Sequence, residues 1–158
     1  MEKPVAAQGK SRGRVLVSSV SSDSHTWNLV YLQLLIEELG FDVVALGACV
    51  PDALLVDACL HHDPDAVVLS TVNGHGALDG ARVARVVRAI PALAALPMVI
   101  GGQLGVAGTA DSALGTELLD AGFTAVYPAG SDPMRLAGFL SVLSEELPQK
   151  MLPEKVLA

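Results

Sequence analysis

Basic charge is scarce in this chain of 158 residues. Ten Lys and Arg stand against 17 Asp and Glu, for a formal net charge of −7. Binding to nucleic acid needs a basic face, and docking on an anionic membrane needs a basic patch. The composition offers neither, so no nucleic-acid partner and no membrane partner is expected. Cysteine is scarce too. Cys49 and Cys59 each lack a second cysteine two residues away, which excludes a zinc knuckle, and both are expected to be small buried hydrophobes. Aromatic residues make up 4% of the chain, so the core must be aliphatic. Long hydrophobic runs are missing as well. The longest uncharged stretch, 89–110, is broken by Pro91, Pro97, Gly101, Gly102, Gly105 and Gly108. That is the composition of loops around a strand, not of a membrane-spanning helix. The first residues, MEKPVAAQGKSRGR, have no apolar core and do not read as a secretory signal, so a cytoplasmic location is expected.

What the chain does have is Ala, Val, Leu and 15 glycines in a regular alternation. Residues 1–13 read as a flexible arm, 14–147 as one domain and 148–158 as a tail. Apolar runs at 14–20, 42–47, 65–70, 97–100 and 124–127 predict strands. Between them lie segments with helical spacing: 27–39, 51–62, 77–90, 112–121 and 133–147. Gly40 and Gly122 stand where helices end. Pro51 is expected at an early helical position, and Arg82, Arg85 and Arg88 on the wet side of their helix. Trp27 is expected to pack as an anchor at the start of the first helix. Strands alternating with helices mean an α/β fold with a parallel five-stranded sheet covered on both faces. The flavodoxin-like strand order 2-1-3-4-5 is the expected topology. In such a fold, ligands sit at the carboxyl ends of the strands, near the switch between strands one and three.

Several ligand classes of this fold can be tested against the loops at those ends. No GxxxxGK[ST] run exists, so there is no P-loop. A dinucleotide fingerprint begins at Gly74-His75-Gly76, but Asp79 stands at its third glycine. A phospho-acceptor receiver needs an Asp where Ser70 sits and a Lys where Pro128 sits. A flavin site stays open on Ser21, Ser22, Ser24 and Thr26 alone. What remains is Asp23-Ser24-His25 in the first loop, faced by small residues in the others: Ser70 to Gly76, Gly101-Gly102, and Tyr127-Pro128-Ala129-Gly130. One His is too few to hold a bare zinc or iron ion. It suffices where a macrocycle supplies the equatorial ligands. A carboxylate two residues away could fix the tautomer of such a His.

These residues resemble the cobalamin-binding domain family, which carries DxHxxG, then SxL, then GG, in this order on this fold. Asp23, His25, Ser70 and Gly101–Gly102 fall in those places. Ser70-Thr71-Val72-Asn73-Gly74-His75-Gly76 and Tyr127-Pro128-Ala129-Gly130-Ser131 resemble the small subunit of glutamate mutase in particular. The chain departs from the pattern at Asn28, where the family has glycine, and at Val72, Asn73 and His75.

The resemblance implies adenosylcobalamin as cofactor, with His25 as the lower ligand to cobalt. It implies a cofactor site of Ser22, Asp23, Ser24, His25, Thr26, Ser70, Val72, Gly101, Gly102, Tyr127, Pro128 and Gly130. The implied reaction is the radical rearrangement of glutamate to 3-methylaspartate. A (β/α)₈ barrel for the substrate needs about 250 residues, so a separate large catalytic subunit is the implied partner. Arg82, Arg85, Arg88 and Arg135 all fall on predicted helices, so no loop is expected to clamp substrate. The alternatives are a corrinoid carrier and a regulatory module that binds cobalamin without catalysis.

Overall fold

Runs of Val, Leu and Ile without alternation build the inner strands. Strands β1 (Arg14–Ser18), β3 (Ala66–Thr71) and β4 (Met98–Gly102) are buried along nearly their whole length, as strands covered on both faces must be. Strands β2 (Asp42–Gly47) and β5 (Ala125–Pro128) are half-exposed and form the edges. The structure, a computed structural model, describes residues 11–105 and 111–147. Residues 1–10 of the expected arm and the tail 148–158 lie outside the described residues. All pairings are parallel, and the order is β2-β1-β3-β4-β5. That is the expected flavodoxin-like topology.

Alternate strand residues point to opposite layers. Val15, Val17, Val68 and Val99 pack under α1 (Trp27–Glu38) and α5 (Pro133–Glu146), through Leu29, Ile36, Leu136 and Leu140. Leu16, Val67, Leu69 and Ile100 face α2 (Asp52–His62), α3 (Gly76–Arg88) and α4 (Asp111–Ala121). Because β1 lies between β2 and β3, the chain leaves it in opposite senses and a crevice opens at the carboxyl ends of the strands.

Some local expectations need correction. Pro51 is the cap residue before α2, with extended ψ of 148°, and the helix begins at Asp52. Trp27 anchors nothing: it is 79% exposed, because α1 turns Leu29 and Ile36 inward from its first turn. Cys49 is exposed on the β2–α2 connection at a φ of 51°, whereas Cys59 is buried as expected. Arg88 is not on the wet side. It is half-buried and its guanidinium donates to the carbonyls of Gly122 and Leu93. Arg12 is docked, donating to the Leu39 carbonyl and to Ser144 Oγ, both at 3.0 Å, with its guanidinium over the Phe41 ring.

Candidate functional site

The β1–α1 loop is organised around one buried carboxylate. Asp23 has no exposed surface. Its Oδ1 accepts the His25 backbone N–H at 3.0 Å and meets His25 Nδ1 at 2.7 Å. Its Oδ2 accepts the Thr71 hydroxyl at 2.9 Å and the Val72 N–H at 2.7 Å, both from the end of β3. Its own carbonyl accepts the Cys49 N–H at 2.8 Å, which ties in the β2–α2 loop. Burial alone would push this carboxyl up. The hydrogen bonds from His25, Val72 and Thr71 outweigh burial and hold its pKa at about 2, against an ordinary 3.8.

This geometry fixes the tautomer of His25. A carboxylate ionised at neutral pH only accepts, so Nδ1 must carry the proton. In the neutral ring the lone pair then sits on Nε2. The His25 side chain is 55% exposed, and Nε2 has no hydrogen-bond partner among the described residues. An oriented, outward-facing imidazole nitrogen of this kind is a ready metal ligand. Among the described residues no group of three or more His, Cys, Asp or Glu is placed to hold a bare ion.

Beside the loop a slot of about 260 Å³ runs between α1 and α5, over β3, β4 and β5. Of the expected site, Ser70, Val72, Gly101, Gly102, Tyr127, Pro128 and Gly130 all line it. The floor is pinned by Gly102, whose φ is +105° and whose added Cβ would stand 2.1 Å from the Thr71 carbonyl oxygen. The expected loop residues Ser22, Asp23, Ser24, His25 and Thr26 do not line the slot. Asp23 is their buried anchor. Ser22 turns the other way and hydrogen-bonds Asp79 and the Asn73 amide. Thr26 precedes α1 without capping it through its side chain, and no contact ties Ser24 to the slot.

Asn28, one of the departures from the family pattern, is in the slot itself. Asn28 Nδ2 donates to Ser70 Oγ at 2.7 Å, while its Oδ1 is buried with no partner. The amide therefore spans from α1 to β3 across ground that a glycine would leave open.

Further residues support the site without having been singled out in the sequence. Thr71 holds Asp23. Leu32, Leu35 and Val99 make the slot apolar; the period of α1 carries that signal, since Leu32 and Leu35 follow Asn28 on the same face. Arg82 is the centre of a charged brace. It pairs with Asp52 and Asp79, both at 2.7 Å, and donates to Ser21 Oγ at 3.0 Å. These partners raise the Arg82 pKa above its ordinary value. Arg82 is thus on a helix, as expected, yet reaches the first loop.

Comparison with known proteins fits this arrangement. A family model described as B12 binding domain matches residues 13–134. The glutamate mutase sigma subunit of Fusobacterium nucleatum is 33% identical over 69 residues, 44% of this chain and 51% of that protein. The sigma subunit of Halobacterium salinarum is 30% identical over 115 residues, 73% of this chain and 76% of that protein. The HTH-type transcriptional repressor CarA of Myxococcus xanthus is 36% identical over 89 residues, 56% of this chain and 30% of the repressor. The match thus spans about half the length of the first of these relatives and less of the repressor. Among solved structures, a cobalamin-binding protein from Desulfitobacterium hafniense superposes with a TM-score of 0.65 at 21% identity, over 82% of this chain and 59% of that one. At that identity the likeness speaks to the fold alone.

Proposed function

The chain belongs to the B12-binding domain family, and from that premise we propose that it is the cobalamin-binding small subunit of an adenosylcobalamin-dependent carbon-skeleton mutase. The single observation that carries the reading is the Asp23–His25 pair, whose Nε2 has no hydrogen-bond partner among the described residues, on the loop that leads into α1 and its slot. The residues present fit the cofactor. His25 would hold cobalt through Nε2, in place of the corrinoid's own base. The displaced nucleotide tail would enter the slot, with Ser70 and Gly101–Gly102 against it.

When bound, adenosylcobalamin supplies a cobalt–carbon bond whose homolysis starts a radical rearrangement. This chain's part is positional. Asp23 keeps the proton on Nδ1 and so keeps Nε2 free, and it locks the ring against rotation. Thr71 and the Val72 N–H hold Asp23 in turn, so the ligand is positioned from the end of β3. The apolar walls of the slot, Leu32, Leu35, Val68 and Val99, would exclude water from the tail. Substrate is the task of a separate large subunit with a (β/α)₈ barrel, and glutamate is the substrate that the sigma-subunit relatives suggest for it. A cytoplasmic location goes with this reading. No helix among the described residues is long and apolar enough to cross a membrane.

The decisive assay mixes the chain, adenosylcobalamin and glutamate, with and without a candidate large subunit, and follows 3-methylaspartate. Product only from the mixture is expected. Product from the small chain alone would overturn the two-component reading. A second reading, a cobalamin-binding regulatory module, draws on the similarity to the repressor CarA. It predicts tight cobalamin binding and no turnover with any barrel subunit.

A further inference from the structure

Arg135 is on a helix, as expected, and the first turn of α5 puts it just past the rim of the slot, beside Tyr127. The rim there is Gly130, Ser131, Asp132 and Pro133. Arg135 follows two residues later, and its guanidinium stands 5.6 Å from the centre of the Tyr127 ring, which itself lines the slot. Among the described residues Arg135 has no ion pair. The other cation near the strand ends, Arg82, is committed to Asp52 and Asp79 on the opposite side of the first loop. The carboxylate at the rim, Asp132, is turned to the helix as its N-cap, its Oδ1 accepting the Met134 N–H at 2.9 Å. Among the described residues Arg135 is therefore the cation beside the slot that has no ion pair, while the Asp132 carboxylate is held to the start of α5 as its cap. The positive charge acts on Tyr127 as well: burial raises the phenol's pKa and Arg135 opposes that rise.

We propose that Arg135 is the contact for the phosphodiester of the corrinoid's nucleotide tail, parked over Tyr127 until the tail enters. This inference rests on the cobalamin reading of the same slot. The tail ends in a flat, weakly polar base, and the apolar slot interior suits that base. Its one charge lies between base and corrin, so it must stay near the rim, where desolvation is least. A guanidinium offers forked donors that match phosphate oxygens, and holding it on an aromatic face reduces the freedom lost on binding. The Tyr127 ring then serves both as slot wall and as rest for the cation.

The test compares two corrinoids, cobalamin and cobinamide, which lacks the whole nucleotide and its phosphate. Dissociation constants are measured by spectral titration for the wild type, Arg135→Gln and Arg135→Lys, at low and high salt. Arg135→Gln should weaken cobalamin about tenfold. It should leave cobinamide unchanged and flatten the salt dependence of cobalamin binding. Arg135→Lys, which keeps the charge and loses the fork, should fall between. Equal effects on the two corrinoids, or none on cobalamin, would overturn the role of Arg135 while leaving the cobalamin reading intact. Failure of the wild type to bind either corrinoid would overturn both.

Discussion

Replacing Asp23 with asparagine keeps the shape of the side chain and removes one acceptor. The carboxylate receives two donors on each oxygen: the His25 N–H and ring on Oδ1, the Thr71 hydroxyl and Val72 N–H on Oδ2. Asparagine has one acceptor oxygen, so one pair of donors meets an NH₂ group. If the oxygen stays with Thr71 and Val72, the His25 ring can adapt by accepting at Nδ1 and moving its proton to Nε2. The His25 backbone N–H cannot adapt. A hydrogen bond to a charged, buried group is lost, at a cost of about 2–3 kcal/mol. The pKa gives an independent figure. Its fall from 3.8 to about 2 is equivalent to about 2 kcal/mol of folding stability. Because the folded value is the depressed one, this stability is present above pH 3.8 and is lost as the pH falls through about 2. Urea unfolding should therefore show Asp23→Asn about 2 kcal/mol less stable at pH 7, with the gap to wild type closing toward pH 2. Cobalamin titration of the same variant should show a 10- to 100-fold loss of affinity, since the tautomer that exposes the Nε2 lone pair is no longer enforced. A variant equal to wild type in stability at pH 7 and in cobalamin affinity would refute the argument, because no arrangement of an amide satisfies these four donors.

Other expectations follow from single contacts. His25→Gly should remove the imidazole nitrogen hyperfine signature from the cob(II)alamin complex; an unchanged spectrum would place the ligand elsewhere. Asn28→Gly should tighten cobalamin binding in calorimetric titration, because it clears the slot and removes the unpaired buried Oδ1, whereas weaker binding would give the asparagine a role of its own. Gly102→Ala should fail to fold stably, since its Cβ would stand 2.1 Å from a backbone oxygen at a φ of +105°; a thermal melt like that of wild type would contradict this. A thiol reagent should label Cys49 and spare Cys59 in the folded chain, as burial raises the Cys59 thiol to about 11.

The fold was legible because its signal is repeated. Each inner strand carries an apolar run, α3 shows a clear helical period, and the parallel order follows from the alternation. The Asp23–His25 pair was legible for a different reason: both members lie on one short loop, so their contact depends on two residues of spacing. What escaped the sequence depends on distance across the fold. Arg82 lies 61 residues from Ser21, and only the packing of α3 beside the first loop brings them to 3.0 Å. Trp27, expected to pack, is exposed, and Arg135 is on a helix as expected. Both sit in the first turn of a helix that begins at the ligand face. Helical periodicity tells which side of the cylinder meets the core, but in the first turn the end of the cylinder matters as much as its side. A residue there can reach out over the strand ends from a position that its period labels as solvent.

Asn28 joins these two kinds of information. The loop pattern identifies the position, since the family has a glycine three residues after the histidine. A side chain in place of that glycine would be expected to crowd the loop. The structure moves the consequence elsewhere: Asn28 is inside α1, the loop around Asp23 is intact, and the side chain occupies the slot instead, bridged to Ser70. The two halves of the site are therefore separable. The half around His25 is held by Asp23, Thr71 and the Val72 N–H, and no hydrogen bond among the described residues ties these groups to Asn28. The slot half is where the departure at Asn28 acts. A corrinoid without a nucleotide should accordingly meet an unmodified His25, and the effect of Asn28 should appear only when a tail has to pass it.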